Sequence, residues 1–213
     1  MTTSRVRVLA PGERDVAAGV MARPFGNDEM TTFALPDAAE RARRLPGMMG
    51  RTVDHARRYG DVRTTGAIPG ATGVDGVACW LAPGTTSLTL PRVVRSGLVL
   101  LPVSLGPAAA RRMSGFDAPM NAAHARLMPG RHWYLWILAT DPAHQGKGVG
   151  RALLEDGLTR ADADGLPVYL ETLQESNVRY YTKFGFEIVE EIPLEAGLRA
   201  WAMVRQPGGS GPG

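Results

Sequence analysis

The spacing of apolar and polar residues predicts an alternation of strands and helices along the chain. The clearest strand is the apolar run from Trp133 to Thr140. The clearest helix follows it, with apolar residues at helical spacing from Val149 to Ala161. Further strands are predicted at 6–9, 62–67, 76–81, 167–172, 187–190 and 198–204. Further helices are predicted at 13–23, at 37–59 with a break at Pro46-Gly47, as a pair within 91–128, and around Tyr181. This alternation predicts an α/β domain with a mixed sheet.

Length and composition limit the kind of protein that this chain forms. The 213 residues, 44% of them hydrophobic, fit one domain, which we predict over residues 1–206, with a flexible Gly/Pro tail over 207–213. The longest apolar stretch, Gly97 to Leu105, contains Pro102 and is too short to cross a membrane. No signal-peptide pattern precedes the first strand, and Cys79 has no second cysteine to pair with. We therefore expect a cytoplasmic protein with no membrane partner.

The charges do not favour nucleic acid or a metal as a partner. The formal net charge is only +3, and the cations are mostly arginines scattered along predicted helices. The four histidines do not show the spacing of metal ligands, and no cluster of cysteines or carboxylates completes a site. The sequence predicts no nucleic-acid partner and no metal.

A glycine-rich turn links the clearest strand to the clearest helix. The backbone carries no side chain at Gly146, Gly148 and Gly150, so its N–H groups can bind an anion at the helix N-terminus. Lys147 adds a cation. A Walker loop would need Ser or Thr after the lysine, and a dinucleotide fold would need Gly-x-Gly-x-x-Gly. The pattern predicts a pyrophosphate-binding turn, with an ordinary glycine-rich turn as the alternative.

Two motifs in this part of the chain resemble those of the GNAT superfamily of N-acetyltransferases. Gln145-x-x-Gly148-x-Gly150 resembles the superfamily's acetyl-CoA loop. After the next strand, Asn177 and the segment 181–186, Tyr-x-x-x-Gly-Phe, resemble the residues that follow the corresponding strand in the superfamily. From Trp133 to about Gln206, the chain looks like puromycin N-acetyltransferase and its relatives.

The resemblance implies a fold and an activity. The implied fold is the GNAT fold, a single domain with a central mixed, mostly antiparallel sheet flanked by helices. The implied enzyme moves the acetyl group of acetyl-CoA to a primary amine of a small molecule, including bulky, antibiotic-like amines, by direct attack in a ternary complex. We expect it to be a monomer or homodimer. The alternatives are acetylation of a protein N-terminus or lysine, and a non-catalytic acyl-CoA-binding module.

The resemblance also implies the residues that bind the cofactor. The backbone of Leu138, Ala139 and Thr140 is expected to run beside the pantetheine arm, with one N–H polarising the thioester carbonyl. Asn177 is expected to hydrogen-bond the same arm, or else to cap a helix. Arg151 either contacts the phosphates or is a solvated helix residue. The remaining cofactor positions lie in the turn: Gln145, Gly146, Lys147, Gly148, Val149 and Gly150.

Tyr181 and Glu171 are the candidate catalytic residues. The resemblance assigns Tyr181 to the leaving sulfur, as an acid or hydrogen-bond donor, and the alternative is an aromatic anchor of the short helix. Tyr180 beside it is the more natural core residue. Glu171 ends a predicted apolar strand and is either the base for the incoming ammonium, directly or through water, or a partner for an arginine at the sheet edge.

Several apolar residues are candidates for an acceptor pocket. Asp28 would attract a cationic amine, and methionine side chains adapt to bulky ligands. Each apolar position has an ordinary core role as its alternative. The apolar candidates are Phe25, Met30, Phe33, Met48, Met49 and Trp80.

Overall fold

The computed structural model describes residues 6–66 and 73–209, which form seven β-strands and eight α-helices. The strands are β1 (Arg7–Val8), β2 (Gly60–Thr65), β3 (Gly76–Leu81), β4 (Trp133–Thr140), β5 (Val168–Thr172), β6 (Glu187–Pro193) and β7 (Arg199–Arg205). The helices are α1 (Arg14–Phe25), α2 (Glu29–Ala34), α3 (Ala38–Tyr59), α4 (Leu90–Arg95), α5 (Leu101–Leu105), α6 (Pro107–Leu127), α7 (Val149–Asp164) and α8 (Glu175–Thr182).

The strands form one sheet in the order β1-β2-β3-β4-β5-β7-β6. Every neighbouring pair is antiparallel except β4 and β5, which run parallel. The parallel pair joins only Trp133 to Val168 and Tyr134 to Tyr169, after which the two strands separate. This architecture confirms the predicted fold class, and the separation of β4 from β5 opens the sheet at its centre.

Each face of the sheet carries its own core, as the alternation along β3 shows. Val77 and Cys79 belong to the core cluster that also contains residues of α1 and α3. Ala78 and Trp80 belong to the other cluster, which contains the apolar face of α7. Because successive side chains of a strand point to opposite faces, helices on both sides are needed to bury them. At Gly157 of α7 a Cβ would lie 2.0 Å from Cζ2 of Trp80, so only glycine fits there.

The predicted break at Pro46-Gly47 is wrong, because α3 runs through both residues. Its N-terminus is capped by Asp37, whose carboxylate accepts the N–H of Glu40 at 2.7 Å. A proline inside a helix removes one backbone hydrogen bond. Burial of Leu45 on one side of the interruption and of Met49 on the other favours the continuous helix and offsets that loss.

Helix α2 was not predicted from the sequence, whose pattern predicts no helix between residues 23 and 37. Asp28 is its N-cap, and the carboxylate accepts the N–H groups of Met30 at 3.0 Å and of Thr31 at 3.4 Å. The ring of Phe33 packs edge-on against Phe116 of α6, with ring centroids 5.2 Å apart. A cap and one aromatic contact therefore stabilise a helix too short to show a periodic pattern.

The C-terminal segment 207–209 lies against the end of α7. The N–H of Gly208 donates to Oδ1 of Asp162 at 2.8 Å, and Arg205 donates to the carbonyl of Gly209 at 3.0 Å. Residues 210–213, the rest of the predicted tail, lie outside the described residues. Among the helices described, none combines the length and apolar character that crossing a membrane requires.

Candidate active site

A cleft of about 770 Å³ opens where β4 and β5 separate. The glycine-rich turn forms one wall of it, at the N-terminus of α7. Within the described part of the chain, the backbone N–H groups from Gly146 to Arg151 donate no hydrogen bond. Unpaired N–H groups at a helix N-terminus favour an anion, because the helix dipole also places partial positive charge there. This wall fits a phosphate or pyrophosphate group.

Gly148 gives the turn its shape. Its φ of 81° lies in the left-handed region, and no atom lies within 4 Å of the place where a Cβ would be, so the backbone faces open space. Two residues later, a Cβ on Gly150 would lie 3.2 Å from Oγ1 of Thr140. Bare backbone at both positions lets a ligand approach the N–H groups closely.

The cationic side chains around the cleft form hydrogen bonds or ion pairs with different groups. Lys147 donates to the carbonyl of Ala143 at 2.9 Å and so braces the turn. Arg151 pairs with Glu155 at 2.8 Å, one helical turn away, and remains largely exposed. Arg23, at the end of α1, lines the cleft and pairs with Asp141. Sequence analysis did not select Arg23, because nothing local in α1 shows that its end meets the turn.

Leu138, Ala139 and Thr140 line the cleft on the side of β4 that β5 has left. Asn177 lines the opposite wall and donates from Nδ2 to Oγ1 of Thr172 at 3.1 Å. The N-cap of α8 is Gln174, so the capping alternative for Asn177 is wrong. Asn177 therefore connects the end of β5 to α8 and keeps its amide at the cleft.

Tyr180 and Tyr181 both lie at the cleft, but their hydroxyl groups differ. The Tyr181 ring is buried against Phe186, and its hydroxyl reaches the cleft without a partner in the described part of the chain. Burial raises the pKa of Tyr181 above its ordinary value, so the hydroxyl is protonated at neutral pH. The Tyr180 hydroxyl is enclosed, 3.6 Å from where a Cβ of Gly150 would lie. Only Tyr181 presents an accessible donor.

Glu171, on β5, is held by two tyrosines. The Tyr134 hydroxyl donates to Oε2 at 2.5 Å, and the Tyr169 hydroxyl donates to Oε1 at 2.8 Å. Burial raises the pKa of Glu171 to about 7, while the two hydrogen bonds lower it in part. No arginine is bound to Glu171 in the described residues, so the arginine-pair alternative is wrong. A carboxylate that titrates near neutrality is suited to accept a proton.

Two buried histidines lie behind Tyr169. The His124 ring stacks on the Tyr169 ring with centroids 4.4 Å apart. Burial lowers the pKa of both His124 and His132, so both are neutral at pH 7. His132 Nδ1 donates to the carbonyl of Gly130 at 2.8 Å, which leaves its Nε2 to accept from His124 Nε2 at 2.7 Å. This arrangement orients the Tyr169 ring toward Glu171.

A second cavity, of about 150 Å³, adjoins the cleft, and we call it the acceptor cavity. Phe25 borders both spaces, and β4 passes from one to the other between Ile137 and Leu138. A β-bulge at Trp136 places Trp136 and Ile137 together in the cavity wall, because the extra residue interrupts the alternation of sides. The wall is apolar apart from a few groups, which include Glu171.

The predicted pocket residues have different positions. Phe25 and Met30 line the acceptor cavity, and so do Met48 and Met49. Asp28 lies at the cleft, where its carboxylate caps α2. Trp80 does not line the cavity, and the pocket role predicted for it is wrong. Its place in β3 points it to the opposite face, against α7, because residues of one strand alternate between faces.

Sequence analysis missed the partners of Glu171 and the acidic residue across the cavity. Tyr169 and Glu171 are two residues apart on one strand, and this spacing alone places them on the same face. Tyr134 is opposite Tyr169 in the parallel pair, which no local pattern reveals. Asp117 and Asn121 lie one turn apart on α6 and both line the acceptor cavity. The sequence shows the helical spacing of these two residues, but it does not show that this face of α6 meets the cavity.

Comparisons with known proteins agree with this geometry. The model of the "Acetyltransferase (GNAT) family" matches residues 114–186. An uncharacterized N-acetyltransferase of Schizosaccharomyces pombe is 32% identical over 123 residues, which are 56% of this chain and 50% of that protein. The chain thus spans about half the length of this curated relative.

Solved structures share the fold. A "histone acetyltransferase HPA2 and related acetyltransferase" from Corynebacterium glutamicum has a TM-score of 0.67 and 24% identity, over 96% of this chain and 97% of that one. Arylalkylamine N-acetyltransferase 2 from Aedes aegypti has a TM-score of 0.66 and 13% identity, over 97% and 100%. At these identities the likeness concerns the fold alone. The family model and the yeast relative show that the matched part of the chain is similar to the acetyltransferases of the GNAT family.

Proposed function

We propose that this chain transfers the acetyl group of acetyl-CoA to a primary amine of a small molecule by direct attack in a ternary complex. GNAT enzymes in general use acetyl-CoA. The observation that carries the proposal is the junction of two spaces at Phe25: a cleft walled by free N–H groups, and an apolar cavity that holds Glu171. A donor in the first and an amine in the second would meet at this junction, and Tyr181 lines the first space.

Each residue has a defined task in this proposal. The N–H groups from Gly146 to Arg151 hold the pyrophosphate, and β4 from Leu138 to Thr140 aligns the pantetheine arm. Acetyl-CoA supplies an acetyl thioester. Glu171 takes one proton from the acceptor ammonium, and the freed nitrogen lone pair forms the bond to the acetyl carbon. Tyr181 donates a hydrogen bond to the sulfur as the C–S bond breaks, and the second proton that the nitrogen loses on forming the amide goes to the thiolate, which leaves as the free thiol.

The acceptor cavity supports a small molecule over a protein as acceptor. Its roughly 150 Å³ are enclosed by side chains from α1, α3, α6 and β4, whereas an extended peptide needs an open groove. This volume is small for a bulky, antibiotic-like amine, most of whose body would remain outside. Glu171, with its near-neutral pKa, supports catalysis over a non-catalytic acyl-CoA-binding module.

Thiol release measured with acetyl-CoA and a panel of amines tests the proposed function, with mass spectrometry to identify the acetylated products. We expect acetylation of compact primary amines at rates well above acetyl-CoA hydrolysis. Thiol release that no amine in the panel accelerates would refute the proposal.

Replacing Gly148 with Val should weaken acetyl-CoA binding by about 10-fold or more, because the side chain fills the space next to the N–H groups. Calorimetry measures the change. Gly165, at the C-terminal end of α7, also has a left-handed φ, 64°, and open space around it. Gly165→Val therefore introduces comparable backbone strain away from the cleft and should preserve affinity. Equal affinities of Gly148→Val and Gly165→Val would contradict the phosphate assignment.

Removing the Tyr169 hydroxyl should shift the pH dependence of kcat/KM. Its hydrogen bond stabilises the ionised form of Glu171, so Tyr169→Phe should raise the pKa of that carboxyl further. A hydrogen bond to a charged group is worth about 1.5–3 kcal/mol, which corresponds to a shift of about one pH unit or more in the acidic limb. Tyr180→Phe, whose hydroxyl does not contact Glu171, serves as the control with the same acceptor amine. An unmoved acidic limb in Tyr169→Phe would argue against Glu171 as the base.

A further inference from the structure

The acceptor cavity contains two carboxylates and no basic side chain in its described wall. Glu171 lies at the end of β5, and Asp117 projects from α6. The two groups are close enough for the negative charge of Asp117 to act on Glu171, where it opposes ionisation. Most of the remaining wall is apolar, and no positively charged side chain in the described wall balances the charges of the two carboxylates.

Asp117 differs from Glu171 in having no partner. Glu171 accepts two tyrosine hydroxyl groups, whereas Asp117 has no hydrogen bond or ion pair in the described part of the chain. Asp117 lines the cavity and is also exposed to solvent. Burial among the surrounding atoms raises the pKa of Asp117 to about 6, so the carboxyl remains mostly ionised at pH 7. Because Asp117 has no such partner among the described residues, a cation that enters the cavity beside it forms a new charge pair with it.

The acceptor cavity also limits the size and shape of its occupant. A protein cavity of about 150 Å³ holds a molecule the size of benzene. The wall includes Met30, Met48, Met49, Met113 and Met120, whose flexible thioethers adapt to either an aromatic ring or a short alkyl chain. The body of the acceptor is therefore compact and apolar.

We propose that the preferred acceptor is a compact amine with two basic nitrogens on an apolar spacer, one reacting at Glu171 and the other paired with Asp117. This inference rests on the proposed function and adds the substrate class. When Glu171 has taken its proton, the charge on Asp117 still needs a partner, and a second ammonium supplies it. Asp117 thus acts as a specificity-determining residue that favours diamines over monoamines.

The test uses matched probes, 1,3- and 1,4-bis(aminomethyl)benzene against 3- and 4-methylbenzylamine. Each pair keeps the ring and differs in one amino group. Their binding to the full chain with acetyl-CoA present is measured by calorimetry, and acetyl transfer is measured in parallel. We expect one diamine to bind at least about 10-fold more tightly than its monoamine, as expected for a close charge pair in an apolar site.

Two variants connect this preference to Asp117. In Asp117→Asn the ratio of monoamine to diamine dissociation constants should fall to about one, and in Asp117→Glu a preference for the diamine should persist. Melting curves establish that the variants fold. Equal binding of both diamines and their monoamines by the parent, or a preference that survives in Asp117→Asn, would overturn the inference. Efficient acetylation of the monoamines alone would overturn it while leaving the proposed acetyltransferase intact. Diamine-selective binding without transfer would refute the proposed function and with it the role of the diamine as acceptor, and would leave only the charge pair with Asp117.

Discussion

Replacing Tyr181 with Phe should lower kcat about 100-fold and leave the affinity for acetyl-CoA almost unchanged. The substitution keeps the ring buried against Phe186 and removes only the hydroxyl that reaches the cleft. General acids and hydrogen-bond donors to a leaving group contribute on this scale. Because burial raises the pKa of Tyr181, the hydroxyl acts chiefly as a hydrogen-bond donor, and its own ionisation should not limit the rate below pH 10.

The neighbouring tyrosine provides the control for this measurement. The Tyr180 hydroxyl is enclosed and has no partner among the described residues, so Tyr180→Phe removes a buried polar group without breaking a bond that the structure describes. It should retain most activity. Single-turnover kinetics are required, since slow product release hides a loss in the chemical step. If Tyr181→Phe and the parent then show the same rate, the hydroxyl has no role at the sulfur.

Replacing Glu171 with Gln should lower kcat/KM by about 100-fold to 1,000-fold and remove the acidic limb near pH 7. Gln keeps the size of the side chain and an oxygen acceptor for one tyrosine hydroxyl, but it cannot take a proton from the acceptor. Kinetics from pH 5 to 9 with one acceptor amine measure both effects. If the variant retains the rate and the pH profile of the parent, Glu171 is not the base, and water takes the proton instead.

The same variant should be more stable than the parent at alkaline pH. The pKa of Glu171 is raised in the folded state from 4.5 to about 7, so the folded chain binds the proton more tightly than the unfolded chain. The stability of the parent therefore falls as pH rises from about 4.5 through 7, by roughly 3 kcal/mol in the limit of full ionisation. Glu171→Gln removes this loss, and its melting temperature should exceed that of the parent at pH 8 and approach it at pH 5.

The turn and helix that we propose for the cofactor were largely predictable from sequence, and the cavity that we propose for the acceptor was not. Gln145 to Arg151 form a continuous segment, so their spacing contains most of the information about the turn and the helix that follows it. The walls of the acceptor cavity come from α1, α3, α6 and β4, which are far apart in the chain. Their packing decides which of the candidate apolar residues face the cavity.

Trp80 and Asp117 show two ways in which the sequence did not predict the cavity wall. Trp80 was wrongly assigned to it, and Asp117 was not selected. The strand that holds Trp80 was predicted with its observed bounds, Gly76–Leu81, but strand periodicity does not say which face meets α7. Asp117 lies in a helix whose polar residues were not assigned a role from the sequence, and tertiary packing places it in the wall of the cavity. Pro46 shows a different effect, since burial of its helix outweighs a local preference to end it.

Because Trp80 contacts Gly157, substitutions at these two positions, which are far apart in the sequence, depend on each other. Any side chain at position 157 would overlap the indole ring, since a Cβ there already lies 2.0 Å from Cζ2. A lineage that acquires alanine at 157 must first, or at the same time, accept a smaller residue at 80. Either change alone opens a void or creates a clash in the core beneath the glycine-rich turn. Positions 80 and 157 are therefore expected to covary, with the change at position 80 occurring before or together with the change at position 157.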